Sequence, residues 1–245
     1  MGNHADRAEP ANARYGFGAR DLRRSLNAMK TVMLTVLGLL LVSRTVTGFD
    51  TTQFVASARS QIGVTTGYDG TYRKLAYPGG DVPRETGVCC DVVIRALREQ
   101  KMDLQQLVHE DMRRSFNAYP KNWGLKQPDS NIDHRRVPNL TCFFRRMGWA
   151  LDSSTVPADY LPGDIVAWKL ANGLPHIGIV SDKKTPAGHP LVIHNIGSGT
   201  QEEDVLFRFT ITGHFRPTGA ANQQVQPIAG KPGVASAPTL TLCRR

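Results

Sequence analysis

Apolar positions recur at two different spacings along this chain, and the change between them divides it in two. Between residues 50 and 147 they return every three or four positions, the period of helices with one buried side. Phe54, Val55, Ala58 and Ile62 mark a helix over 50–62 that Gly63 stops. Val92, Val93, Ala96 and Leu97 share the buried side of a second helix that starts near Cys89. Leu104, Leu107, Val108 and Met112 mark a third over 103–116, with Asp103 as its N-cap, and a short fourth runs from Pro138 to Met147, closed by Gly148. The stretches 64–88 and 119–136 are polar or rich in Gly and Pro, and read as loops. After Tyr160 the pattern becomes strand-like: Asp164–Trp168, His176–Val180, Pro190–His194 and Leu206–Ile211, with Phe215 closing the set. Helices followed by hairpin-linked strands predict an α+β domain over 51–217, its helices packed on one antiparallel sheet of at least four strands.

The flanks read differently. Residues 1–28 are polar and without period, an upstream extension with no expected structure. Met29 and Lys30 then open an eleven-residue apolar run, Val32–Val42, which ends in small residues before Phe49. A basic start, a short apolar core and a small-residue exit predict a secretory signal peptide over 29–48, with Met29 as the start. Eleven residues are short for a bilayer span, although an uncleaved anchor is the competing reading. A periplasmic or secreted product, without stable membrane insertion once the signal is cleaved, is the expectation. Beyond Pro217 the chain is Ala, Gln, Pro and Gly without period, so a disordered tail is expected over 218–245.

Composition adds little until the charge is divided. The 245 residues carry a formal +9, yet the first 48 hold seven basic and three acidic residues, leaving 23 against 18 in the remainder. That mild excess lacks basic runs interleaved with aromatics, so no nucleic-acid partner is expected. It suits a carboxylate-bearing polymer equally well.

In an exported chain the four cysteines, Cys89, Cys90, Cys142 and Cys243, could form disulfides. Two are adjacent, however, and the absence of a C-x-x-C pair gives no support to a metal site or cofactor. Gly87-Val88-Cys89 delivers a thiol to a helix start, where free N–H groups and the helix dipole favour a thiolate. A buried structural cysteine is the plain alternative. His176 opens one strand and His194 ends the next, so neighbouring strands can set one imidazole behind the other. Asn195 points the other way in a regular strand. Arg135 and Arg136 could offer their forks to a substrate carboxylate, or belong to a solvated loop. His109-Glu110-Asp111 reads as surface charge before it reads as a metal pair, and His214 could enter the site from the last strand.

Taken in order, these segments resemble the NlpC-type cysteine peptidases of bacterial cell walls. More narrowly, GVCCDVVIRA, NIDHRRVPNL, PGDIVAW, HIGIVSD, HNIG and ITGHFR are similar to the YijF-like family of exported bacterial proteins, a domain of unknown function, over about residues 51–217. The resemblance implies a papain-like fold over 49–217 and a Cys-His-His triad of Cys89 (nucleophile), His176 (base) and His194 (orienter). Cys90 then stands where these proteins usually have Ser or Thr, and could pair with Cys142. Tyr68 and the Tyr77–Gly80 turn fall where the superfamily meets its substrate. The implied activity is that of a monomeric hydrolase that cuts amide bonds in peptidoglycan stem peptides, with no metal or cofactor. The alternatives are a silent peptide binder on the same fold and a Cys-His acyltransferase.

Overall fold

The computed structural model of this protein describes residues 48–219. The extension, the signal peptide and the tail expected at 1–28, 29–48 and 218–245 lie outside these residues, apart from Gly48, Thr218 and Gly219.

Among the described residues, four α-helices come first. Helix α1, Thr51–Arg59, starts where Asp50 accepts the Gln53 N–H at 2.9 Å, and it buries Phe54, Val55 and Ala58. Helix α2, Cys89–Glu99, is buried from Cys89 to Leu97, including Asp91 and Arg95. Helix α3, Leu104–Ser115, is capped by Asp103 as expected, which accepts the Gln105 N–H at 3.2 Å. Helix α4, Val137–Arg146, carries Pro138 in its first turn, where a missing N–H costs nothing. Before α2, a two-residue strand β1, Gly67–Tyr68, lies parallel to β2, Thr86–Gly87.

The second half is one antiparallel sheet of six strands: β3 (Ala150–Leu151), β4 (Ile165–Lys169), β5 (Pro175–Lys184), β6 (Pro190–Asn195), β7 (Thr200–Glu203) and β8 (Thr210–Phe215). Their order is β3-β8-β4-β5-β6-β7. The class is therefore α+β, as the change of period predicts. Ile165, Ala167, Ile177, Ile179 and Ile193 pack with the helices in the main core. Val166, Trp168, Val180 and Val192 face the other way, against Tyr160, Val205 and Leu206 in a smaller core. Both sheet faces are thus covered, which explains why β4 and β5 read as continuous apolar runs rather than alternating ones. Each fully buried side chain of this size contributes about 1.5–3 kcal/mol.

The strand expected at Leu206–Ile211 is displaced. Val205 and Leu206 are buried in a turn that seals the smaller core, and the last strand begins only at Thr210. A buried turn and a buried strand show the same apolar density, so composition alone misplaces the boundary. Strand β7 has the sequence Thr-Gln-Glu-Glu, with no apolar alternation to announce it. It pairs with β6, setting Gln201 opposite His194 and Thr200 opposite Asn195.

One irregularity of the sheet prepares a site. β5 pairs with β4 from Pro175, but its pairing with β6 begins only at Ile179. The first residues of β5 are therefore unpaired on the β6 side, and the start of α2 fits there.

Candidate active site

Cys89 is the first residue of α2, preceded by Val88 in an extended conformation. The Asp91 side chain turns back to accept the Val88 N–H at 2.6 Å, which fixes the entry of the chain into the helix. Cys89 is 4% exposed, and neither it nor Cys90 is in a disulfide. The Cys90 thiol, His176 and the Ile177 N–H all stand against its sulfur as groups that favour its ionised form. The last of these is a donor that the unpaired start of β5 leaves available. Together with the positive imidazole, these donors hold the Cys89 thiol well below the usual range against burial, which pushes the other way. Burial pushes Cys90 up, as does a thiolate at Cys89, so of two touching thiols Cys89 is the one that ionises. Tyr68, brought by β1, adds a hydrogen bond to the same sulfur; burial and that negative neighbour raise its own hydroxyl.

Behind the sulfur stands a row of side chains. His176 Nε2 lies 2.8 Å from His194 Nδ1, and His194 Nε2 lies 3.0 Å from Glu203 Oε2. With Nε2 engaged, Nδ1 of His176 is the nitrogen left for Cys89. Burial and the nearby His176 lower His194 to about 3, so its ring is neutral at pH 7. Glu203 pulls the opposite way, but it is 42% exposed and its charge is largely answered by water. A neutral His194 that gives its Nε2 proton to Glu203 must accept at Nδ1, and therefore receives the Nε2 proton of His176. The row thus fixes one tautomer from end to end. Trp168 stacks on His176 at 5.8 Å between ring centroids. Gly178 makes room for the pair: a Cβ there would lie 2.8 Å from Val192 Cγ1 and 3.0 Å from the Cβ of His194.

Local pattern gives no signal for Glu203, because its strand is polar and its partner is reached only through β7–β6 pairing. Asn195, by contrast, points away from the imidazoles as strand alternation predicts. It is fully buried and donates to the carbonyls of Gly67 and Gly87, both at 3.1 Å, tying β1 and β2 to the sheet.

Arg135 is not available to a substrate carboxylate. Its fork closes on Asp91, with Nε 3.0 Å from Oδ1 and Nη2 2.9 Å from Oδ2, and Nη2 also donates to the Asp69 carbonyl at 3.0 Å. Both side chains of the pair are buried. Arg135 compensates the one acidic charge in the first turn of α2 and anchors the Tyr68 loop to it. The expected substrate role gives way to a positioning one, because a buried carboxylate lies within reach. Arg136, its neighbour, lies over the Trp123 ring at 4.1 Å and lines a groove of about 380 Å³ that reaches Cys89 between Tyr68, Tyr72 and Pro175. Tyr77 does not line that groove and packs instead on His109, 5.2 Å between centroids. His134 is buried, which lowers it to about 3.

His214 does not join the row. Its Nε2 lies 2.7 Å from Asp164 Oδ2, and its ring stacks on Tyr160 at 4.3 Å. Asp164 also takes the fork of Arg216, at 2.7 and 2.8 Å, and the Leu161 N–H at 2.8 Å, so this cluster closes the turn before β4. Among the described residues, no group of three or more His, Cys, Asp or Glu side chains is placed to hold a metal ion. No described helix is long and apolar enough to cross a membrane.

The chain is similar to known proteins in sequence and, more distantly, in fold. Residues 55–217 match the model of a domain of unknown function, DUF1287. The chain is 63% identical over 159 residues to the uncharacterized protein YijF of Escherichia coli K12, a match that covers 65% of this chain and 78% of that one. Among solved structures, NlpC1 from Trichomonas vaginalis matches at 13% identity with a TM-score of 0.39, over 69% of this chain and 44% of that chain.

Proposed function

The chain belongs to the DUF1287 family, and we propose that it is an exported cysteine hydrolase that cleaves amide bonds in peptidoglycan stem peptides, with Cys89 as nucleophile, His176 as general base and acid, and His194 as orienter. The observation that carries the reading is the unbroken row Cys89–His176–His194–Glu203 at the floor of an open groove. A buried structural cysteine has no use for such a row. Here the thiol is lowered, faces an imidazole of defined tautomer and is reachable from solvent-filled space.

The chemistry follows from the geometry. The Cys89 thiolate attacks the amide carbonyl carbon, and the carbonyl oxygen takes up the negative charge. The N–H of Cys89, at the first position of α2, has no acceptor within its helix and is offered to that oxygen along with the helix dipole. His176 gives its Nδ1 proton to the departing amine nitrogen as the C–N bond breaks, leaving a thioester on Cys89. Water then gives a proton back to His176 Nδ1 while its oxygen attacks the thioester, restoring the thiolate and releasing a carboxylic acid whose remaining proton passes to solvent. Throughout, His194 accepts from His176 Nε2 and stabilises the imidazolium, and Glu203 keeps His194 in the accepting tautomer.

Purified peptidoglycan incubated with the wild-type protein should release fragments bearing one new amine and one new carboxylate terminus, identified by mass analysis. Cys89→Ala and His176→Ala should release none. Equal release by Cys89→Ala and wild type would overturn the assignment.

A further inference from the structure

A second thiol stands against the reactive one. Cys90 follows Cys89 directly in the first turn of α2 and is fully buried, and its sulfur meets that of Cys89. Access to the two differs. Cys89 lines the groove of about 380 Å³, whereas Cys90 is not among its walls. A small oxidant entering the groove therefore meets the Cys89 sulfur first, and meets it as the thiolate, the form that reacts. Cys90 keeps its proton, because burial and the negative sulfur beside it push its thiol up. Cys142 keeps other company: it donates to the Ala118 carbonyl at 3.4 Å and stands with Tyr119 and Arg146.

Oxidation of Cys89 changes the chemistry of its neighbour. Attack of the Cys89 thiolate on hydrogen peroxide forms an S–O bond and breaks the O–O bond. The sulfur is oxidised to a neutral sulfenic acid, and hydroxide leaves. The negative charge that held the Cys90 proton is then gone, while Arg135 still favours a thiolate there. Cys90 gives its proton to the departing hydroxyl as its sulfur attacks Cys89, so S–S forms, S–O breaks and water is released. The ring closes across the Cys89–Cys90 peptide. In the first turn of α2 the N–H groups of both residues have no acceptor within the helix, so of that linking peptide only the Cys89 carbonyl is committed to it. The entry of the helix can therefore bend, and a ring this tight is strained and readily reduced.

We propose that Cys90 is a resolving thiol that converts peroxide-oxidised Cys89 into a Cys89–Cys90 disulfide, a reversible modification that silences the site and spares the sulfur from irreversible oxidation. With Cys89 tied to its neighbour, no thiolate faces His176. External thiols restore both residues by exchange and leave as their own disulfide. The proposal rests on the ionised Cys89 thiol and not on peptide cleavage, so it goes beyond the hydrolase reading.

In the test the protein is treated with excess hydrogen peroxide, blocked with iodoacetamide in denaturant and digested with trypsin, which leaves both cysteines in the peptide 85–95. In the wild type that peptide should be lighter by a pair of hydrogens and carry no acetamide label. Dithiothreitol added before the block should restore the label on both cysteines. In Cys90→Ser, and in Cys90→Ala as a second variant, Cys89 should pass to the sulfinic acid and recovery by dithiothreitol should be lost. A wild-type peptide with sulfinic acid at Cys89 and Cys90 still reduced, a disulfide from Cys89 to Cys142 or Cys243, or equal recovery in both variants would overturn the resolving role and leave Cys89 as the reactive thiol. If neither peroxide nor iodoacetamide modifies Cys89 in the folded protein, the thiol is not ionised and the proposal falls with that reading.

Discussion

Removing Arg135 tests whether the start of α2 is held by charge balance. Arg135→Met keeps most of the side-chain volume but leaves Asp91 ionised, buried and without its partner, in the first turn of the helix that carries Cys89. Breaking a buried pair from one side costs about 3–5 kcal/mol, most of it the penalty of the stranded charge. For a domain of this size each kcal/mol lowers the melting temperature by roughly 2–4 °C, so a fall of about 6–20 °C is expected. The functional effect should be separate and of known sign. A carboxylate without its counter-charge beside the thiol disfavours the thiolate, so the pH midpoint of Cys89 alkylation should move up. Thermal unfolding followed by circular dichroism reads the first effect, and the pH dependence of iodoacetamide labelling, mapped by peptide mass, reads the second. Adding Asp91→Asn to Arg135→Met removes the stranded charge and should recover at least half of the lost stability. A loss under about 3 °C in the single variant, or a double variant no better than the single, would show that charge balance does not hold the start of α2.

Four further outcomes are expected. At pH 7 iodoacetamide should label Cys89 before Cys90, and His176→Ala should slow that labelling at least ten-fold; first labelling of Cys90 would contradict the assignment. Glu203→Ala should slow Cys89 labelling and turnover about ten-fold, with part of the rate kept in Glu203→Gln, whose side-chain oxygen can still accept from His194; equal loss in both variants would mean that the acceptor is not what matters. Because burial holds His194 below its ordinary 6.5, at about 3, the stability that its neutral form contributes is present above pH 6.5 and is lost as the pH falls below it. Urea unfolding should therefore show about 2 kcal/mol less stability at pH 5 than at pH 7 from this group, and His194→Asn should flatten that fall. Gly178→Ala should cost about 1–3 kcal/mol by overpacking against Val192 and His194, and should slow Cys89 labelling as well; unchanged labelling would show that the imidazole row tolerates displacement.

The parts of the site legible in the sequence are those in which one short segment carries both an element signal and a reactive side chain. Cys89 follows a Gly-Val turn into an apolar-sided helix, and His176 and His194 sit at the ends of strands, so local pattern places them. The rest depends on partners that meet only in the fold. Arg135 and Arg136 are adjacent and chemically alike, yet one is consumed by Asp91, 44 residues away, and the other pairs loosely with Asp133 at 3.7 Å and lies over Trp123. Glu203 lies on an edge strand whose side chains are all polar, and only its pairing with β6 reveals its place behind His194. Tyr77 lies in a loop with no period of its own, and its packing on His109 is set by α3. Local signals carry the elements and the lowered thiol, whereas long-range charge pairing decides which of the remaining polar residues can act.

Attack by Cys89 leaves a covalent acyl-enzyme that can be trapped. The protein should be mixed with purified stem peptide, quenched in acid within the first turnovers, digested and examined by mass spectrometry. The mechanism predicts an acyl group in thioester linkage on Cys89, its mass equal to the peptide portion on the carbonyl side of the cut, present in wild type and absent from Cys89→Ser. An acyl group on Cys90, or peptide cleavage with no acylated cysteine at any quench time, would contradict it.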